Sequence, residues 1–213
     1  MKKLIGAISA CVFLVLGIQT ASAQDTSMSF FVTSEGSGNG GDLGGLEGAD
    51  AHCQSLAEAA GVGDREWRAY LGTEAEGGRG ISARTRIGDG PWYNSEGVMV
   101  ASDVDNLHIS PNLSGATALD ENGNRINGFG MQPNRHDILT GTMADGTAFF
   151  PDEDDHTCSN WTSSDEGSAG VGHSDRHGGG NLSWNAAHGS RGCSQESLQA
   201  TGGDGLFYCF AAD

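Results

Sequence analysis

His156-Thr157-Cys158-Ser159-Asn160-Trp161, then Ser183-Trp184-Asn185-Ala186-Ala187-His188-Gly189-Ser190-Arg191-Gly192-Cys193, then Leu206-Phe207-Tyr208-Cys209-Phe210, form the stretch whose reading decides the fold. The continuous span from His156 to Cys209 holds three of the five cysteines, four of the seven histidines and two of the four tryptophans. Staples, core formers and a polar cluster are thus crowded into one part of the chain. A functional site is expected here or facing here.

The fourth partner for those cysteines lies far upstream. Cys11 falls inside an apolar run, Leu4 to Ile18, that follows basic Lys2 and Lys3 and precedes the small-residue triplet Ala21-Ser22-Ala23. This is the pattern of a signal peptide over residues 1–23, with cleavage before Gln24. The run is too short for a membrane span, so an exported chain without membrane insertion is expected, periplasmic or secreted. Removing the segment leaves Cys53, Cys158, Cys193 and Cys209. An even set in an exported chain reads as two disulfides, with three possible connectivities.

Charge narrows the partners. Without Lys2 and Lys3 the 11 basic residues become nine arginines against 28 acids, a formal charge of −19. Such a surface repels nucleic acid and anionic lipid and favours cations, neutral glycans or basic partners. The 35 glycines show no collagen period, which marks a loop-rich chain. No linker or repeat interrupts 24–213, and one domain is expected.

Along the chain, Met28 to Thr33 reads as a first strand. Leu46 to Ala60 is the main helix, with Ala49, Cys53, Leu56 and Ala60 on one face and Gly61 at its end. Glu66 to Leu71 alternates as a strand packing on that helix. Gly72 to Gly80 reads as a flexible turn, Ile81 to Ile87 as a short helix, and Trp92–Tyr93 and Val98–Val100 as strands around a turn. Asp103 to Ser114 and the glycine-rich stretch Ser163 to Ser190 read as polar loops. Asp120 to Asn124 reads as a hairpin turn, and Ile138–Thr142 with Thr147–Phe150 as a hairpin around Asp145-Gly146.

Gly44-Gly45-Leu46-Glu47-Gly48-Ala49-Asp50-Ala51-His52-Cys53, followed by Trp67-Arg68-Ala69-Tyr70-Leu71, resembles the start of the endostatin domain found at the end of certain collagens. Cys158-Ser159-Asn160-Trp161 and the late cysteines resemble its second half. Endostatin is a variant of the C-type-lectin-like fold. The resemblance therefore implies an α+β, C-type-lectin-like architecture of short antiparallel strands with one main helix. It also implies the pairings Cys53–Cys209 and Cys158–Cys193. Lectins of this group bind sugar through calcium held by two short motifs. Gln132-Pro133-Asn134 resembles the first. Trp184-Asn185-Ala186 stands where the second belongs, without its carboxylate, which leaves a calcium ion short of oxygens. The basic heparin-binding surface and the histidine-rich start of endostatin have no match here.

Two further clusters carry chemistry. His136-Asp137, His173, Asp175 and His188 offer imidazole and carboxylate donors that can converge with Asn134 and Asn185 in one pocket. Such a set suits zinc or copper. Asp152, Asp154 and Asp155 form the densest run of carboxylates, a second place for calcium. Trp184 and Trp161 read as core or as stacking platforms. No nucleophile elbow, zinc-protease motif, phosphate loop or dinucleotide fingerprint is present. The expected function is a non-catalytic recognition module binding a glycan or an extracellular protein through its long loops. The alternatives are a metal-dependent hydrolase using His136, His173 and His188, and a structural envelope component.

Overall fold

The computed structural model describes residues 26–213, so the expected signal segment lies outside the described residues. In chain order the elements are β1 (Phe30–Val32), α1 (Gly45–Ala59), β2 (Trp67–Ala69), β3 (Glu74–Ala75), β4 (Gly78–Arg79), a 3-10 turn (Ala83–Thr85), β5 (Trp92–Tyr93), β6 (Met99–Ala101), α2 (Val104–Ile109), β7 (Asp137–Leu139), α3 (Cys158–Trp161), β8 (Gly170–His173), β9 (His188–Gly189), α4 (Gln195–Thr201) and β10 (Gly203–Ala211). This is a mixed α+β fold of short strands and few helices. Among the described residues no helix is long and apolar enough to cross a membrane.

The main sheet runs β1-β10-β7-β8-β9, with β2 also paired to β10. β10 is its centre. Tyr208, Cys209 and Phe210 face β1, while Cys209 to Ala211 face β2 on the opposite edge, both antiparallel. Further back, Gly203 and Phe207 pair with β7 in parallel. The apolar run Leu206 to Ala211 is buried throughout, as a strand covered on both faces must be. One face packs against α1 through Ala49, Cys53, Ala57, Trp67 and Phe207. The other carries Phe30, Tyr70, Trp92, Trp184, Tyr208 and Phe210. Gly172 belongs to that second layer. A Cβ there would stand 1.9 Å from the Trp184 carbonyl oxygen.

Asp50 joins α1 to its neighbours. Its carboxylate accepts from the Ala69 N–H at 2.9 Å, from Arg68 at 2.9 Å and from Arg86 at 2.7 and 2.9 Å. One helix residue thereby holds β2 and the segment after the 3-10 turn. Both disulfides are present, Cys53–Cys209 and Cys158–Cys193. The first staples α1 to β10. The second anchors α3, a single turn wound left-handed, with φ of 47° at Cys158, 54° at Ser159, 58° at Asn160 and 67° at Trp161. Left-handed backbone costs each L-residue about 1–2 kcal/mol. Side chains on both sides hold it: Asp155 accepts from the Ser159 N–H, Thr157 from the Asn160 N–H, and the Trp161 indole donates to the Gly72 carbonyl at 2.7 Å.

Several local expectations change. Thr147 to Phe150 forms no strand with Ile138 to Thr142; Met143 and Thr147 close a turn, and β7 pairs with β8 and β10 instead. The stretch Ser163–Ser190 is not one loop, because its Gly170 to His173 is the buried strand β8. Asp103 caps α2 through the Asn106 N–H, and Gly72 to Gly80 contains the β3–β4 hairpin. The sheet is not wholly antiparallel, since β10 and β7 run parallel.

Removing one member of a buried ion pair leaves the other charge uncompensated. Asp50→Ala is expected to lower stability by about 3–5 kcal/mol in urea unfolding. Glu66→Ala, which removes an exposed partner of Arg68, should leave the midpoint close to wild type; equal losses would refute the keystone role of Asp50.

Candidate metal centre

Strand register brings the site together. Asp137 and His173 are direct cross-strand partners in β7 and β8. His188 pairs with Val171, two residues from His173 along β8. Side chains two apart share a face, as do direct partners, so Asp137, His173 and His188 rise on one side of the sheet. His136, just before β7, joins them by laying its ring on that of His173, 4.4 Å away and 6° from parallel.

The donor atoms converge on one carboxylate oxygen. Asp137 Oδ1 lies 3.3 Å from His136 Nε2, 3.5 Å from His173 Nε2 and 3.6 Å from His188 Nε2. His173 Nε2 and His188 Nε2 are 3.1 Å apart. Zinc binds imidazole nitrogen at about 2.0–2.1 Å, which puts donor atoms sharing one ion about 3–3.5 Å apart; His136, Asp137 and His173 offer donor atoms that all lie within 4.8 Å of one another, while His188 stands outside that group, against Asp137 and His173. Side-chain exposure is 5% for His136, 1% for Asp137 and 4% for His173, against 39% for His188.

Hydrogen bonds at the far ring nitrogens orient the near ones. His136 Nδ1 donates to Asp175 Oδ1 at 2.9 Å, and His188 Nδ1 to the Gly189 carbonyl at 3.0 Å. That assignment leaves the Nε2 lone pairs facing Asp137. Asp175 also accepts from the N–H groups of Phe129, at 2.7 Å, and His177, at 3.0 Å. Burial pushes the Asp175 carboxyl up, but these hydrogen bonds outweigh it and hold the group below the ordinary carboxylate range. Burial lowers the pKa of His173, and the neighbouring His136 adds to the effect. Asp137 raises that of His188; at 3.6 Å their contact is an ionic approach and too long for a hydrogen bond. Both Asp137 carboxylate oxygens are buried and accept no hydrogen bond from the described residues.

The other expected residues lie elsewhere. Asn134 is behind His136, accepting its N–H at 3.4 Å. Trp184 is 3% exposed and packs on Tyr70 and Tyr208, so its ring presents no platform to solvent. Asn185 is buried, and its amide donates to the Tyr70 hydroxyl and the Met143 carbonyl. The acidic run does not gather around a point: Asp152 faces His156 at 3.2 Å, Asp155 accepts from the Thr157 and Ser159 N–H groups, and Asp154 donates its N–H to Asp152. The sequence reasoning missed Phe129, whose N–H supports Asp175 through the backbone and therefore leaves no side-chain signal.

Compared with known proteins, the chain matches no family model and no curated sequence.

Proposed function

We propose that this chain is an exported transition-metal-binding protein that takes one divalent ion, zinc by its donor set, at His136, Asp137 and His173, with His188 beside them as an outer fourth donor. The observation that carries this reading is the Asp137 carboxylate. It is buried, accepts no hydrogen bond, and has three imidazole Nε2 atoms within 3.6 Å. A buried carboxylate that accepts no hydrogen bond is costly, and a cation among these donors removes the cost. Three imidazoles and one carboxylate suit zinc, whereas calcium and magnesium require a shell of oxygens. Asp175 supplies the outer carboxylate that commonly orients a ligating histidine. The acidic surface would concentrate cations around the site.

The ion would be bound by the fold rather than required for it. Two apolar cores and two disulfides hold the chain without metal, unlike small domains that fold only when loaded. The α1–β10 staple and the pairing of β1 with β10 support placing the chain in the C-type-lectin-like group. A glycan ligand would have to be read by side chains other than the buried Trp184 and Asn185.

Metal analysis and calorimetry on the purified mature chain test the reading. One zinc per chain is expected, lost in His173→Ala, with the circular dichroism of the wild type unchanged after chelation. Absence of stoichiometric zinc, or equal binding by His173→Ala, would sink it. Asp175→Asn should weaken zinc binding about 10–100-fold while leaving the stoichiometry at saturation unchanged; wild-type affinity in this variant would deny Asp175 its orienting role.

A further inference from the structure

Three donors, His136, Asp137 and His173, form the tight group, and His188 beside them is held very differently. Asp137 and His173 face each other across paired strands, inside the sheet. His136 is fixed at its far nitrogen by buried Asp175 and flat against His173. His188 differs in its place in the sheet and in its exposure. It stands on β9, two residues long and last in the sheet order, bonded to β8 on one side only. Its far nitrogen reaches only the carbonyl of its own neighbour, Gly189. It is also the exposed donor of the set, at 39% against 5% or less for the others.

We infer that His188 is the exchangeable ligand: the ion is loaded and released across it, and during transfer an imidazole or carboxylate from a chelating partner takes the position His188 leaves. This rests on the metal reading of the site above. The three clamped donors keep the ion while one bond is replaced. The incoming donor's lone pair forms the new metal bond, and His188 departs as a neutral imidazole with its lone pair. No electron changes hands, and with a deprotonated incoming donor no proton moves. A ternary complex of protein, ion and partner side chain is the intermediate this asymmetry permits. Four equally buried ligands would instead make release depend on opening the sheet, a local unfolding event.

Cobalt(II) loaded into the full mature chain provides a visible signal for the test. Release from wild type into EDTA should accelerate in proportion to EDTA concentration. His188→Ala should still bind one cobalt per chain but release it about tenfold faster or more, since weakened ligation shows chiefly in the dissociation rate. Free imidazole should bind to the cobalt-loaded variant, return its absorption spectrum toward wild type and slow the release. His188→Gln, which keeps the side-chain bulk, is the second variant if alanine disturbs folding by circular dichroism. A wild-type release rate independent of EDTA would overturn the inference while leaving the metal site standing. So would loss of cobalt in both His188 variants as complete as in His173→Ala, or no spectral response to imidazole. Failure of the wild type to take up cobalt or zinc would overturn the metal reading itself, and this inference with it.

Discussion

A strand hydrogen-bonded along both edges and buried on both faces leaves its neighbours little freedom, and β10 imposes that constraint on this protein. Its last residues accept β1 and β2 on opposite edges. Its first residues accept β7 in parallel, with Gly203 opposite Asp137. The pairing of Gly203 with Asp137 places Asp137, and the β7–β8 pairing places His173 as well. The disulfide to Cys53 then draws α1 onto one face of the same strand. The metal-donor cluster is therefore set by the same packing that forms the core, and its geometry needs no separate support beyond Asp175 and the stacked rings of His136 and His173.

Much of the scaffold was legible because it follows periodicity. Ala49 and Cys53 share the buried side of α1, and Trp67 and Ala69 alternate inward on β2, as spacing alone indicates. The cysteine pairing needed the family resemblance, since spacing left three choices. What stayed hidden was structure whose residues carry weak propensity. Gly170 to His173 is glycine-rich and reads as loop, yet it is a buried strand because Gly172 must lie against the Trp184 backbone. The glycine there meets a packing need, which composition reads as flexibility. All four proposed ligands were visible as residue types, along with Asp175. Their convergence was an expectation, but which candidates it gathers depends on the register between β7, β8 and β9, and Trp184, Asn185 and the acidic run looked equally suited to a site.

The electrostatics of the cluster explain why it can lie so deep. Two carboxylates, Asp137 in the ligand set and Asp175 behind His136, would balance the two charges of a divalent ion. A loaded centre would be close to neutral overall, and a neutral assembly can be buried where an isolated charge cannot. Without the ion, Asp137 raises the pKa of the neighbouring His188. The chain as a whole is strongly acidic, yet this compensation is local and independent of that surface.

The central place of β10 also dictates an order of assembly. Its contacts reach far back along the chain: Phe207 and Thr33, 174 residues apart, are hydrogen-bonded. The main sheet cannot close until the polypeptide is available through Ala211, and contacts of such long range slow folding because the loop must be closed before they form. Synthesis from the N-terminus delivers Cys53 and Cys158 before Cys193 and Cys209. Vectorial synthesis or export thus offers a wrong thiol partner first. Correct pairing then depends on isomerisation, or on the chain staying reduced until its last strand arrives.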